Sequence, residues 1–174
     1  DEARRKEFCR DHGICPDNAV EDWHELLERP KMADCAFVCT QDNQHIAPAM
    51  AALQAGYHVG MEKPMSRNAD ELRELKALAE EKGKLVTVCH VLRYTPFFSK
   101  VKELLDAGKI GQLQSVQQIE NVAYWHQAHS FVRGNWRRED ETSPMILAKS
   151  CHDMDIIGGQ PLHQGFLFRE SGSF

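Results

Sequence analysis

Apolar and polar positions recur along this chain with two different periods, and the switches between them mark its elements. Residues 2–12 are charged and helical in pattern, and Gly13 stands where a left-handed turn would end the helix. A second, short helix is expected from Glu21 to Glu28, ended by Pro30. CAFVCT (35–40) is a continuous apolar run too short for a helix, which predicts a strand buried on both faces. His45 to Ala55 is rich in Ala, Met and Leu and stops at Gly56; Pro48 fits that helix only in its first turn. YHVGM (57–61) predicts the next strand, closed by Pro64. Asn68 followed by Glu71 has the spacing of a capping box and opens a helix through Lys82, with Gly83 just past its end. KLVTVCHV (84–91) predicts a third strand, and Pro96 to Ala107 a helix ended by Gly108.

From Leu113 the character changes. LQSVQQIENVAYW alternates apolar and polar residues, as a sheet with one wet face would. A polar, Arg-rich stretch follows, then a helix from about Pro144 to Ile157 and a Gly/Gln/Ser-rich tail from Gly158 with little pattern. Three strands with helical crossovers predict an α/β fold built on a parallel, doubly wound sheet. The shift near residue 112 predicts that a second domain begins there, giving an expected organisation of 1–111 and 112–174.

Composition narrows the function classes. The chain has 174 residues, 42% apolar and 27% charged, with a formal net charge of −5. An acidic balance without a basic run leaves no electrostatic footprint for nucleic acid. No stretch reaches the roughly 20 apolar residues that span a membrane. The first residue is Asp1 rather than Met, so the native start is expected to lie outside this sequence. Several of the six cysteines sit in apolar runs, where a thiol behaves as a small hydrophobe; a reducing, cytoplasmic setting without disulfides is expected. Cys9, His12 and Cys15 are close in sequence, but no second ligand cluster completes a zinc pattern, and no metal site is expected.

Open α/β sheets bind ligands beyond the carboxyl ends of their strands. After the first strand come Thr40, Gln41, Asp42, Asn43, Gln44 and His45; after the second, Glu62-Lys63-Pro64; after the third, His90, Arg93 and Tyr94. All three ends therefore carry polar or ionisable groups. Lys63 lies between a buried strand and a proline that fixes the next backbone angle, so it is either a solvated turn lysine or an ammonium placed over a bound ring or hydroxyl. On the last helix Lys149, His152 and Asp153 share a face, as a surface ion pair or as groups that position a hydroxyl and accept its proton. Trp136-Arg137-Arg138 is either a surface loop or a contact for phosphate or sugar. No G-x-G-x-x-G, Walker loop or G-x-S-x-G elbow occurs.

CAFVCTQDNQH, the Glu62-Lys63-Pro64 strand end, HVLRYTPFF and NWRREDETSPMILAKSCHDMDII together resemble the Gfo/Idh/MocA oxidoreductases, in the order that family has them. The resemblance implies a Rossmann-like domain joined to an α/β domain with an open sheet, NAD or NADP as cofactor, and a sugar, inositol or related polyol as substrate. It implies that Lys63 lies near the nicotinamide and the reacting hydroxyl, that Thr40, Asp42, His45, Glu62 and His90 line the cofactor, and that His152 is the catalytic histidine. Arg93, Trp136 and Arg137 join the expected cofactor-binding set. Where the family often has an aspartate a helical turn before that histidine, this chain has Ala148, so Lys149 or Asp153 must substitute or the proton relay differs. The family's first strand, glycine loop and second strand have no counterpart here, so an incomplete Rossmann-like sheet and only the start of the second domain are expected. Relatives with an open sheet imply a homo-oligomer. The leading expectation is a portion of an NAD(P)-dependent oxidoreductase acting on a CH–OH group. The alternatives are an NAD-dependent glycoside hydrolase of the same family and a catalytically inactive truncated module.

Overall fold

In the computed structural model, which describes residues 1–159, a three-stranded parallel sheet and seven α-helices are found among the described residues. The chain divides into two compact units, Asp1–Thr87 and Val88–Phe174. The expected Gly/Gln/Ser-rich tail lies outside the described residues, apart from its first two positions.

The first unit opens with α1 (Glu2–Asp11), capped by the Asp1 side chain, which accepts from the Arg4 amide at 3.1 Å. Gly13 follows at φ 63°, the left-handed stop that its position predicts. Helix α2 (Trp23–Leu27) is shorter than the sequence pattern suggests; Asp22 caps it. Strand β1 (Cys35–Val38) and strand β2 (His58–Met61) pair in parallel, with Phe37 opposite Gly60 and Val38 opposite Met61. Between them runs α3 (Ile46–Gln54), with Pro48 in its first turn, where a missing N–H breaks no intrahelical bond. Helix α4 (Ala69–Lys82) ends at Gly83 in the left-handed conformation. Strand β3 (Val86–Val88) completes the order β1-β2-β3 and crosses the boundary between the two units.

The core of this unit follows from that order. Beta-2 is the central strand, so Val59 and Met61 are sealed, together with Leu53 and Ala49 of α3 and Leu75 of α4. Each large apolar side chain buried in this way contributes about 1.5–3 kcal/mol. Strand β1 departs from the expectation of burial on both faces. Val38 is buried, Cys35 and Ala36 are half-buried, and Phe37 is 73% exposed. The cause is position: β1 is an outer strand of the sheet, and among the described residues one of its faces is uncovered. The Phe37 ring lies across its cross-strand partner, close enough that a Cβ on Gly60 would sit 2.7 Å from it.

The capping box at Asn68 forms only by half. The Asn68 side chain accepts from the Asp70 amide at 2.9 Å. Glu71, however, does not reach back to the Asn68 amide. It accepts from the Ser66 hydroxyl, whose oxygen in turn takes the Asn68 N–H at 2.9 Å. Serine thus relays the contact that the glutamate would otherwise make directly.

The second unit carries α5 (Pro96–Asp106), capped by Thr95 and followed by Gly108 at φ 65°. Residues 112–123 form no strand, contrary to the alternation read there; the segment leads directly into α6 (Tyr124–Gln127). Alternation assigns side chains to faces, but a strand also needs a hydrogen-bonded neighbour, and among the described residues this segment has none. Val116 and Ile119 are accordingly exposed. Helix α7 (Met145–Gly158) buries Ala148, Asp153 and Ile156 on one face.

Candidate functional site

Each unit gathers its own cluster of polar groups. In the first, the segments that leave β1 and β2 lie side by side because the strands are parallel and in register. The Glu62 amide donates to the Val38 carbonyl at 3.0 Å, which extends the ladder to the strand ends. Beyond it, the Thr40 hydroxyl donates to the Gln44 carbonyl at 3.0 Å and folds the chain into a short 3-10 turn, Asp42–Gln44. Asp42 is buried, and Glu62 and Lys63 are half-buried. The Lys63 amide donates to the Glu62 carboxylate at 3.3 Å, and the Lys63–Pro64 bond is cis.

His45 ties the two segments together. It is 1% exposed, and its ring nitrogens meet two backbone carbonyls: Nδ1 lies 2.9 Å from Pro64 O and Nε2 lies 3.1 Å from Thr40 O. Carbonyl oxygens only accept, and a neutral imidazole has one N–H to give, so the neutral ring bonds one loop at a time while an imidazolium would serve both. The ring therefore sits behind the strand-end residues, between backbone segments.

The second cluster centres on α7. Lys149, His152 and Asp153 share the helix face that their spacing implies, but each meets different groups. The Lys149 ammonium lies 5.8 Å from the centroid of the Phe131 ring, against which Trp136 also packs at 6.3 Å. Asp153 is buried and accepts from the Gln118 amide group at 2.9 Å. The His152 ring meets the His90 ring edge-on, with centroids 5.9 Å apart. Arg137 is exposed and donates to the Gly134 carbonyl at 3.4 Å.

Asp155 is the residue that sequence reasoning missed. Its carboxylate accepts from Arg93 Nε at 2.9 Å and from a second nitrogen of the same guanidinium, and it lies 3.0 Å from His90 Nδ1, within ion-pair distance. Two of the residues expected to bind cofactor, His90 and Arg93, are thus both held by a single acid. The available signal was spacing: Asp155 follows His152 by three residues and lies on the same helical face.

The family model described as "Oxidoreductase family, NAD-binding Rossmann fold" (GFO/IDH/MocA) matches residues 1–90. The chain belongs to this family. Among Gfo/Idh/MocA relatives, the scyllo-inositol 2-dehydrogenase (NADP(+)) IolW of Bacillus subtilis (strain 168) is 33% identical over 146 residues, covering 83% of this chain and 38% of that protein. The trans-1,2-dihydrobenzene-1,2-diol dehydrogenase of Bos taurus is 33% identical over 130 residues, 74% of this chain and 38% of that protein. Among solved structures, the inositol dehydrogenase homolog complexed with NAD+ from Azotobacter vinelandii superposes with a TM-score of 0.59 at 28% identity, over 64% of this chain and 30% of that one. The chain therefore spans less than two-fifths of the length of these curated relatives. The α/β class and the Rossmann-type sheet read from the alternation of strands and helices agree with this membership.

Proposed function

We propose that this Gfo/Idh/MocA chain is a portion of an NAD(P)-dependent oxidoreductase acting on the CH–OH group of a sugar, inositol or related polyol. The observation that carries the reading is the strand-end cluster of the first unit. A hydroxyl (Thr40), a buried carboxyl (Asp42), a second carboxylate (Glu62) and an ammonium (Lys63) lie beyond the carboxyl ends of two parallel strands, where open α/β sheets take their ligands. Hydroxyl and carboxylate groups suit ribose hydroxyls, and an ammonium suits a substrate hydroxyl, so these residues fit the nicotinamide-ribose end of the cofactor. The relatives named above are dehydrogenases of inositol and of a dihydrodiol, which supports a polyol as substrate and gives glycoside hydrolysis no support.

In this reading Thr40, Asp42 and Glu62 hold the cofactor, with His45 behind them, and His90, Arg93, Trp136 and Arg137 complete the binding set. Lys63 orients the substrate hydroxyl and exchanges its proton; His152 is the second proton-handling group, with Lys149 and Asp153 beside it on α7. When bound, the nicotinamide supplies the hydride acceptor or donor. The domain organisation that goes with this reading is a dinucleotide-binding part, 1–111, and the start of a substrate domain, 112–174. The protein works as a homo-oligomer in the cytoplasm, a setting that suits its six cysteines, none of them in a disulfide.

The test is an NADH titration of this chain, followed by fluorescence, with Lys63→Ala beside it. Saturable binding is expected, weakened about tenfold in the variant, the size of one lost hydrogen bond to a charged group. An absence of saturable binding by the unaltered chain would remove the cofactor site from it and leave an inactive module.

A further inference from the structure

Asp155 does more than close an ion pair. Its side chain is only 7% exposed, yet it stands within ion-pair distance of two side chains that leave the end of β3, His90 and Arg93. The Arg93 fork grips the carboxylate through two nitrogens and so fixes its plane. Against that fixed acceptor lies His90 Nδ1, at 3.0 Å. A carboxylate accepts and does not donate, so a hydrogen on Nδ1 completes the contact. In the neutral ring, a hydrogen on Nδ1 leaves Nε2 with its lone pair. The same helix carries His152 three residues earlier, and its ring meets the edge of the His90 ring. One acid thus stands against one imidazole, on the helix that carries a second.

We propose that Asp155 is a positioning residue that holds His90 as the Nδ1–H tautomer, so that Nε2 serves as an acceptor for a ligand hydroxyl. The inference deepens the oxidoreductase reading and rests on it for the identity of the hydroxyl, which belongs to ribose or polyol. The geometry of Asp155, His90 and Arg93 stands without it. Arg93 has a supporting part: it orients the carboxylate and does not itself choose the tautomer of His90.

Long-range proton–nitrogen correlation spectra of histidine-labelled protein at alkaline pH report which ring nitrogen of each histidine carries hydrogen, and His90→Gln assigns the signal. In the unaltered chain, His90 is expected to show a protonated Nδ1 and an unprotonated Nε2. Asp155→Asn is expected to shift it toward the Nε2–H form, because the amide group can turn its donor toward Nδ1. Arg93→Lys keeps the acid and should leave the tautomer as it was, although it breaks the fork. A purely structural ion pair would give no such contrast between the two variants. The proposal is overturned if His90 of the unaltered chain already rests in the Nε2–H form, a result that requires no variant to fold. It is equally overturned if Arg93→Lys changes the tautomer as much as Asp155→Asn does. Failure of the cofactor reading would appear elsewhere, as absent NADH binding with the His90 tautomer intact.

Discussion

His45 is buried between two loops, with a ring nitrogen against a backbone carbonyl of each. Its ring replaces the ladder hydrogen bonds that end where β1 and β2 end, and it holds the Thr40 and Pro64 backbones at a fixed separation. Replacing it with alanine removes a buried ring and the one N–H that a neutral imidazole gives these carbonyls, with an expected loss of about 2–4 kcal/mol by urea denaturation. His45→Gln keeps one donor and should recover part of that loss. If the alanine variant proves as stable as the parent, the ring does not clamp the loops. The residue itself was legible in the sequence as polar and just beyond a strand. Its direction was not, because the second loop that it meets lies 19 residues further along. Lys63 and Glu62 were legible for the opposite reason: a strand end and a proline fix them locally. Asp155 escaped notice since its meaning depends on Arg93, 62 residues away, and no local pattern announces that pairing.

At the scale of elements, caps were the dependable signals. Gly13, Gly83 and Gly108 each take the positive φ that stops a helix, and Asn68 opens α4 where expected. These motifs are read within four residues of themselves, so tertiary context does not disturb them. The segment 112–123 shows the contrary case, for a strand is a property of two paired segments, and among the described residues this one has no partner. Helix α2 offers a test by pH. Asp22 accepts from the His24 amide at 2.9 Å and lies 2.6 Å from its ring nitrogen, and these two bonds hold its carboxyl below the ordinary aspartate range. A carboxyl with a lowered value in the folded state adds stability above the ordinary range and loses it as the pH falls through the lowered value. Carboxyl-carbon NMR should therefore place the Asp22 midpoint below that of a free aspartate, with fraying of α2 on the acid side only. An ordinary midpoint would mean that the cap does not persist in solution. The group is exposed, so the effect is confined to this helix.

For the molecule as a whole, the outer strand is the place to test association between copies. Beta-1 presents Phe37, 73% exposed, beside a backbone edge that pairs with no other strand among the described residues, and an apolar open edge invites another strand. Sedimentation velocity is expected to show association that grows with concentration, and Phe37→Lys should shift the chain toward monomer. A monomer across the concentration series in the unaltered chain would count against pairing through this edge. The passage of β3 across the boundary between the two units has another consequence. Domains are usually separable at an exposed linker, where a protease can cut or an engineer can divide the gene. Here the boundary falls within a strand, between Thr87 and Val88. A cut at that point would sever β3 itself, the third member of the sheet, rather than a linker.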